Sequence, residues 1–405
     1  MNVSVIDPSL SVSRAPAAEP PGAWRMLAYL ALAEFLGMTL WFSATAVTPL
    51  LVRELDLTPT HASWLTIAVQ AGFVVGTLAS AVGNLSDVLN ARTVMLLGCV
   101  AGAAANAALL IAPGAAVVVG LRFATGMALA LVYPPGMKVA AGWFKERRGL
   151  ALGVLIGALT LGKAFPHLLT AIYGERWREP VLMASGLALL GGVLVFAVVR
   201  DGPFAAATSR FDPHAIRRIV GSRGARLATF GYLGHMWELY AMWTWIAVLA
   251  TASFERSGVP SAAAAGSLAA FLAIASGTLG CGLAGWLADR LGRARVAIWS
   301  MWISAACAVL TAAAFGQAPF WFYLLAMIWG FAVVADSAQF SAIVSEHSPA
   351  QYLGTALTLQ TCCGFLLTMV TIELLPRVAA ATGWQWAALL LVPGPLLGIA
   401  AMRRL

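Results

Sequence analysis

Charge is scarce in this sequence. Asp, Glu, Lys and Arg make up 10% of its 405 residues, against roughly 25% in a soluble domain, while hydrophobic residues reach 60% and mean hydropathy is +0.84. That balance excludes a water-soluble globular chain. Cysteine is sparse as well. Cys99, Cys281, Cys307, Cys362 and Cys363 fall in apolar segments without metal-finger spacing, which argues against a disulfide framework or a zinc site, and they read as small buried thiols. Also missing are a His-Glu-x-x-His pair, a nucleophile elbow and a phosphate loop. Neither an enzyme nor a cofactor is expected. The opening stretch lacks the basic start and apolar core of a secretory signal, and residues 1–23 read as a disordered cytoplasmic tail.

What is present is a succession of apolar runs of about 20 residues, the length a helix needs to cross roughly 30 Å of hydrocarbon. Twelve are counted, beginning near Trp24, Ala62, Ala91, Gly114, Arg148 and Arg178, then near Leu227, Ala262, Arg293, Ala318, Leu353 and Gly383. Residues 200–226 form the longest polar stretch and split six spans from six. The expected fold is therefore an all-α membrane protein with twelve transmembrane helices in two pseudo-symmetric six-helix bundles, residues 24–199 and 227–405, joined by a cytoplasmic central loop at 200–226. The net charge of +8 does not point to nucleic acid, because the basic residues gather in alternate connections. Arg14, Arg25, Arg92, Lys138, Lys145, Arg147, Arg148, the central-loop arginines, Arg290, Arg293, Arg295, Arg403 and Arg404 mark one side. By the positive-inside rule that side is cytoplasmic and holds both termini, in a cytoplasmic (inner) membrane. The partners expected are the lipid bilayer, protons and a small solute, with the chain acting as a monomer.

The halves repeat. Trp41 matches Trp243, Gly83 matches Gly285 and Asp87 matches Asp289, each pair 202 positions apart. Repeated six-helix halves suit a carrier whose bundles rock about a central site. After the eighth span the chain reads "GWLADRLGRAR", residues 285–295, which resembles the cytoplasmic loop signature of the major facilitator superfamily. Its counterpart "GNLSDVLNAR" keeps Gly83, Asp87 and Arg92 but has Val88 and Asn90 where that family usually carries Arg and Gly. The fourth span reads "GLRFATGMALALVYPPG", similar to the family's Arg-x-x-x-Gly pattern through Arg122 and Gly126. The resemblance implies a secondary transporter with spans 1, 4, 7 and 10 lining a central cavity, and a cytoplasmic gate at Gly83, Asp87, Arg92, Gly285, Asp289, Arg290, Gly292 and Arg293. In that gate Asp289 would accept hydrogen bonds from nearby helix N-termini and pair with arginines of its own loop.

An ionised side chain at the bilayer centre costs about 2.5–3.5 kcal/mol on insertion scales, so each one is a functional candidate. They are Glu34, Arg122, Lys163, His167, His235, Glu238 and Asp336. His235, Glu238, Met242 and Trp245 follow one stripe of span 7, and Trp329, Asp336 and Gln339 one stripe of span 10; in the family's arrangement both would face the cavity. Glu34, Glu238 and Asp336 are the expected proton carriers. Substrate contacts are expected from Arg122, Lys163, His235, Trp41, Trp243, Trp245, Tyr133 and Gln339. A structural role in clamping span 4 to span 1 is open for Arg122, although in the superfamily's proton antiporters the corresponding arginine tunes a proton site. Gly162 is followed by Lys163 where drug antiporters show Gly-Pro or Gly-Gly, so their signature is not met.

The function expected is secondary active transport of a small anionic or zwitterionic organic solute by alternating access, coupled to protons. Two alternatives stand beside it: a proton-driven exporter of hydrophobic or cationic compounds, and a non-transporting sensor on the same fold. "LWFSATAV" and "ADSAQFSA" resemble bacterial permeases grouped with nitrate and cyanate carriers, but the paired arginines of nitrate carriers are absent from spans 2 and 8. A divalent metal on His235, Glu238 and Asp336 has suitable ligand types but no further histidine nearby, and no metal is expected.

Overall fold

The structure, a computed structural model, describes residues 19–83, 89–204 and 213–405. Most of the tail, Asp87 with Val88, and residues 205–212 of the central loop lie outside the described residues. Among the described residues there is no β-strand, as hydrocarbon demands of a chain that must satisfy its backbone hydrogen bonds within each segment. Among the described residues, ten helical segments are long and apolar enough to cross a membrane. They are spans 2 (Pro59–Val82), 3 (Ala91–Ile111), 4 (Ala115–Trp143), 5 (Arg148–Tyr173) and 6 (Arg178–Val198), then 8 (Ala262–Leu291), 9 (Arg293–Ala314), 10 (Pro319–His347), 11 (Leu353–Thr382) and 12 (Trp384–Met402). The places of spans 1 and 7 are taken by Ala23–Met38 with its continuation Ser43–Ala46, and by the helix Arg223–Arg256. Span 7 thus starts four residues before the expected boundary, at Arg223, because the Ser222 hydroxyl caps it by accepting from the Ala225 N–H. A short helix, Ile216–Gly221, occupies the end of the central loop.

Each half closes on itself through the same pairings. Spans 2 and 4, 3 and 6, and 1 with 5 and 6 pack in the first half; spans 8 and 10, 7 with 8, 11 and 12, and 9 with 10 and 12 pack in the second. Spans 5 and 8, and spans 2 and 11, join the halves. Glycine sets the closest approach in both. A Cβ on Gly126 would overlap the Val69 carbonyl across spans 4 and 2, and one on Gly330 would overlap the Ala273 carbonyl across spans 10 and 8. Removing side chains there lets backbones meet, the usual route to tight packing where lipid competes for apolar contact.

Spans 1, 4 and 10 are interrupted part-way along, as is span 12 at Ala388–Val392. Span 1 loses helical geometry at Thr39–Phe42, span 4 at Ala130–Val132 just before Pro134 and Pro135, and span 10 at Asp336. Pro134 and Asp336 are related by the same offset of 202 positions as the tryptophan pair. Breaks free backbone carbonyls inside the membrane, so each must find donors from side chains or neighbouring helices.

Candidate functional site

Arg122 supplies the donors for the break in span 1. It is fully buried, and its guanidinium donates to the carbonyls of Leu40, Trp41 and Leu65, to Ser43 Oγ and to Asn106 Oδ1. Asn106 continues the network, its amide donating to Val181 O at 3.1 Å and Ser185 Oγ at 3.0 Å. Spans 1, 2, 3, 4 and 6 therefore meet around one guanidinium whose planar fork suits several acceptors at once. Arg122→Ala should leave these acceptors bare, at about 1–3 kcal/mol for each that stays unsatisfied. The expected result is a melting midpoint lowered by many degrees in detergent, with Arg122→Lys only partly restoring it; an unshifted midpoint would refute the clamp.

Lys163 lies on the opposite side of the same break. It is 5% exposed. Its Nζ donates to Tyr240 Oη at 2.8 Å and stands 4.2 Å from the centroid of Trp41, 5.2 Å from that of Tyr240 and 5.7 Å from that of Trp243. Lysine and Trp41 belong to the first half, Tyr240 and Trp243 to the second. The ammonium makes no ion pair with a carboxylate among the described residues. Ring faces do the work of a counter-ion, each worth about 0.5–2 kcal/mol to a cation. Phe42, Phe73 and Phe365 extend the cage, with Phe42 stacking near His167 one helical turn beyond Lys163. Several polar atoms in this region are buried without a hydrogen-bond partner: the indole N–H groups of Trp41 and Trp243, and both ring nitrogens of His167. Buried polar atoms are rarely left so.

The expected stripe of span 7 turns the other way. Glu238 Oε1 accepts from Ser304 Oγ at 2.8 Å and Trp329 Nε1 at 2.6 Å, tying spans 7, 9 and 10 together inside the second bundle. Trp245 donates to Ile372 O and, with Met242, Trp329 and Trp384, lines a small apolar space within that bundle. Tyr240 and Trp243 sit roughly on the opposite side of the helix at 100° per residue, and that side meets the first half. His235 and Asp336 also meet within the second bundle. His235 Nδ1 is 2.8 Å from Asp336 Oδ1, and Nε2 is 2.9 Å from the Ser337 hydroxyl. Gln339 is buried with an unpartnered Oε1. Glu238 is thus directed to Ser304 and Trp329, away from the His235–Asp336 pair.

Glu34 is the first half's acid. It is fully buried on span 1 against Gly136 of span 4, where a Cβ would collide with its carboxylate, and neither oxygen has a hydrogen-bond partner. Its charge lies within electrostatic reach of Lys163 and of Tyr133, the half-buried first residue after the break in span 4. Glu34 stands beside the broken part of span 4 as His235 stands beside the broken part of span 10.

Residues 30–283 match the family model of the Major Facilitator Superfamily, and residues 227–404 match that of sugar (and other) transporters. The chain belongs to the Major Facilitator Superfamily. It is a multi-pass membrane protein of a transporter family, in keeping with the absence of enzyme motifs from its sequence. A solved structure of the nucleoside transporter NupG has the same fold, with a TM-score of 0.71 over 93% of this chain and 99% of that one at 16% identity. The hexuronate transporter of Escherichia coli is 25% identical over 170 residues, 41% of this chain and 39% of that protein. The multidrug efflux pump LfrA of Mycolicibacterium smegmatis is 27% identical over 205 residues, 49% of this chain and 39% of the pump. The matches thus span about two-fifths of the length of these relatives.

The superfamily's loop signature takes a particular form here. Asp289 is exposed and borders a cavity of about 820 Å³ with Arg293, Arg295, Glu346 and Arg403. The loop's ion pair joins Arg293 to Glu346 at 2.7 Å, and Arg290 stacks on Trp286 at 3.9 Å. Gly292 takes φ +91 to end span 8, and Gly285 leaves open space on its helix. In the first-half loop, Gly83 ends span 2, and Arg92 donates to Asn90 Oδ1 and Val199 O, with Asp201 3.9 Å away. Asp87 lies outside the described residues. Among the described residues, Arg92 thus reaches the end of span 6 and Arg293 reaches Glu346 of span 10.

At the other end, Glu54 accepts from Trp177 Nε1 and, at 2.9 Å, from Arg178, linking the connection after span 1 to the start of span 6. These bonds hold its carboxyl below the ordinary value of 4.5, Arg178 contributing most. A depressed value means the link's contribution is full above pH 4.5 and fades as pH falls through the lowered value. Being partly exposed, the link is screened. A modest loss of melting temperature below about pH 4.5, absent in Glu54→Gln, is expected; identical acid profiles would assign the loss elsewhere.

Proposed function

We propose that this protein is a proton-coupled secondary transporter of a small anionic or zwitterionic organic solute, working by alternating access of its two bundles in the cytoplasmic membrane. The observation that carries the reading is Lys163, a buried ammonium at the junction of the halves, held by rings of both and without a carboxylate partner. Such a cation invites an anionic ligand, and a hydrophobic cation would meet repulsion there. The hexuronate transporter among its relatives moves a carboxylate-bearing solute, which agrees with the reading. The basic connections, the start of span 1 and the end of span 12 are assigned here to one cytoplasmic face.

The coupling follows from Glu34. While ionised, its field offsets the charge of Lys163; once protonated, it leaves that charge for the solute. Proton and anion therefore favour each other's binding, and linkage makes the effect reciprocal. That sign gives symport. Asp336, beside His235, is the corresponding proton-holding group of the second half. Arg122 and Glu238, with their hydrogen bonds committed to protein atoms, each brace the bundle they belong to rather than receive solute.

Sealed proteoliposomes with a pH-sensitive dye outside test this. Addition of a carried anion should alkalinise the medium, dependent on the protein. Acidification would mean exchange instead of symport, proton flux evoked only by hydrophobic cations would support the export alternative, and saturable binding with no flux at all would mark a sensor.

A further inference from the structure

The cage around Lys163 also limits what the solute's body can be. This step rests on the reading of Lys163 as the anion's receptor. Trp41, Phe42 and Phe73 come from the first half, and Tyr240, Trp243 and Phe365 from the second. Five ring pairs cross the junction at centroid distances of 5.2–6.3 Å. Three of them, Trp41 with Tyr240, Trp41 with Phe365 and Phe42 with Tyr240, are inclined by only 35–39°. When the halves part along this seam, the opening is a slot with ring faces on both walls. A flat aromatic ring entering it replaces the inter-half contacts with stacked ones of the same kind.

Hydrogen-bond donors gather at the Lys163 end of the slot. Lys163 Nζ and the unpartnered indole N–H groups of Trp41 and Trp243, related by the repeat, are all donors. Together they match the oxygens of one carboxylate. Tyr240 Oη, which accepts from Lys163, stands at the same end, and Phe42, Phe73 and Phe365 supply the remaining rings. Asn106 is already bonded to Arg122, Val181 and Ser185, while Gln70, one turn from Phe73, has its oxygen taken by Thr368 and its Nε2 without a partner. A polyhydroxylated solute would lose water from each hydroxyl and find a replacement for few of them.

We propose that the transported solute is a planar aromatic monocarboxylate of the benzoate class, its carboxylate on Lys163 and the two indole N–H groups, its ring between the aromatic walls of the two halves.

The test uses the full chain in proteoliposomes with labelled benzoate and labelled glucuronate, two monoanions that differ in planarity and hydroxylation, and cyclohexanecarboxylate as an apolar but puckered competitor. Saturable benzoate uptake is expected, unaffected by excess glucuronate and inhibited at least tenfold more weakly by cyclohexanecarboxylate than by unlabelled benzoate. Trp41→Phe, which keeps the ring and removes the N–H, should weaken benzoate uptake severalfold while eluting as a monodisperse species. Glucuronate uptake that Lys163→Met abolishes, with no benzoate uptake, would overturn the solute class and leave the Lys163 reading standing. Equal inhibition by the puckered acid would overturn the planar slot. Uptake of either anion that is indifferent to Lys163→Met would instead overturn the anion reading on which the proposal rests.

Discussion

Lys163→Met is expected to weaken binding of the transported anion by roughly 30- to 4000-fold, since removing one member of a buried charge pair costs about 2–5 kcal/mol and each 1.4 kcal/mol is a factor of ten. Folding should survive. Methionine fills a similar volume among Trp41, Tyr240 and Trp243, and it ends the burial of an ammonium that costs about 2.5–3.5 kcal/mol at mid-membrane. Against that stands the loss of cation–π attraction, up to about 2 kcal/mol per desolvated contact, and of the bond to Tyr240 Oη. The opposing terms are of similar size, so the melting midpoint should move little while transport collapses. Uptake and thermal melting measured on the same preparation separate the two quantities. Unchanged uptake would remove Lys163 from the site, and a collapse of both would make it a structural group.

Arg122 and Lys163 differ in what surrounds them. Both are single basic residues in apolar spans, and both carry the same insertion cost. What separates them is the partner set: carbonyls of Leu40, Trp41 and Leu65 around Arg122, ring faces around Lys163. The carbonyls of Leu40 and Trp41 become available because span 1 breaks at Thr39–Phe42, and nothing in "MTLWFSATAV" announces a break by proline or glycine. Tertiary packing decides it.

The span boundaries were legible because hydrocarbon imposes length and polarity on every span, and the fold they imply agrees with the family. The offset of 202 positions was legible for the same reason, and it led to Trp41 and Trp243, which the structure brings to one ammonium. The direction of span 7 was not. Its tryptophans lie on both sides of the helix, so a stripe drawn through His235, Glu238 and Trp245 shows periodicity without showing which neighbour it meets. Tyr240, three residues before Trp243 and hence on its face, carried the signal for the functional side. Asn106, a lone amide in the apolar third span, likewise marked the network that holds Arg122.

Glu34→Gln is expected to separate binding from coupling. Glutamine resembles the protonated acid in size and lack of charge, so in this variant the field of Glu34 is absent at every pH. Anion binding should lose the pH dependence that Glu34 confers, where in the native protein it weakens as pH rises and Glu34 ionises. The solute should still exchange across the membrane in counterflow. A pH gradient of one unit supplies about 1.4 kcal/mol per proton, enough for roughly tenfold accumulation with one proton per anion. That accumulation should vanish in the variant, the internal and external concentrations levelling. Gly136→Ala provides a second variant, since its Cβ would press on the Glu34 carboxylate and should disturb the pH dependence without removing the acid. Retained tenfold accumulation by Glu34→Gln would transfer the proton to the His235–Asp336 pair, where Asp336→Asn would then be the decoupling substitution. Loss of both exchange and accumulation, with the fold intact, would show that the carboxyl of Glu34 contacts the solute instead of tuning Lys163.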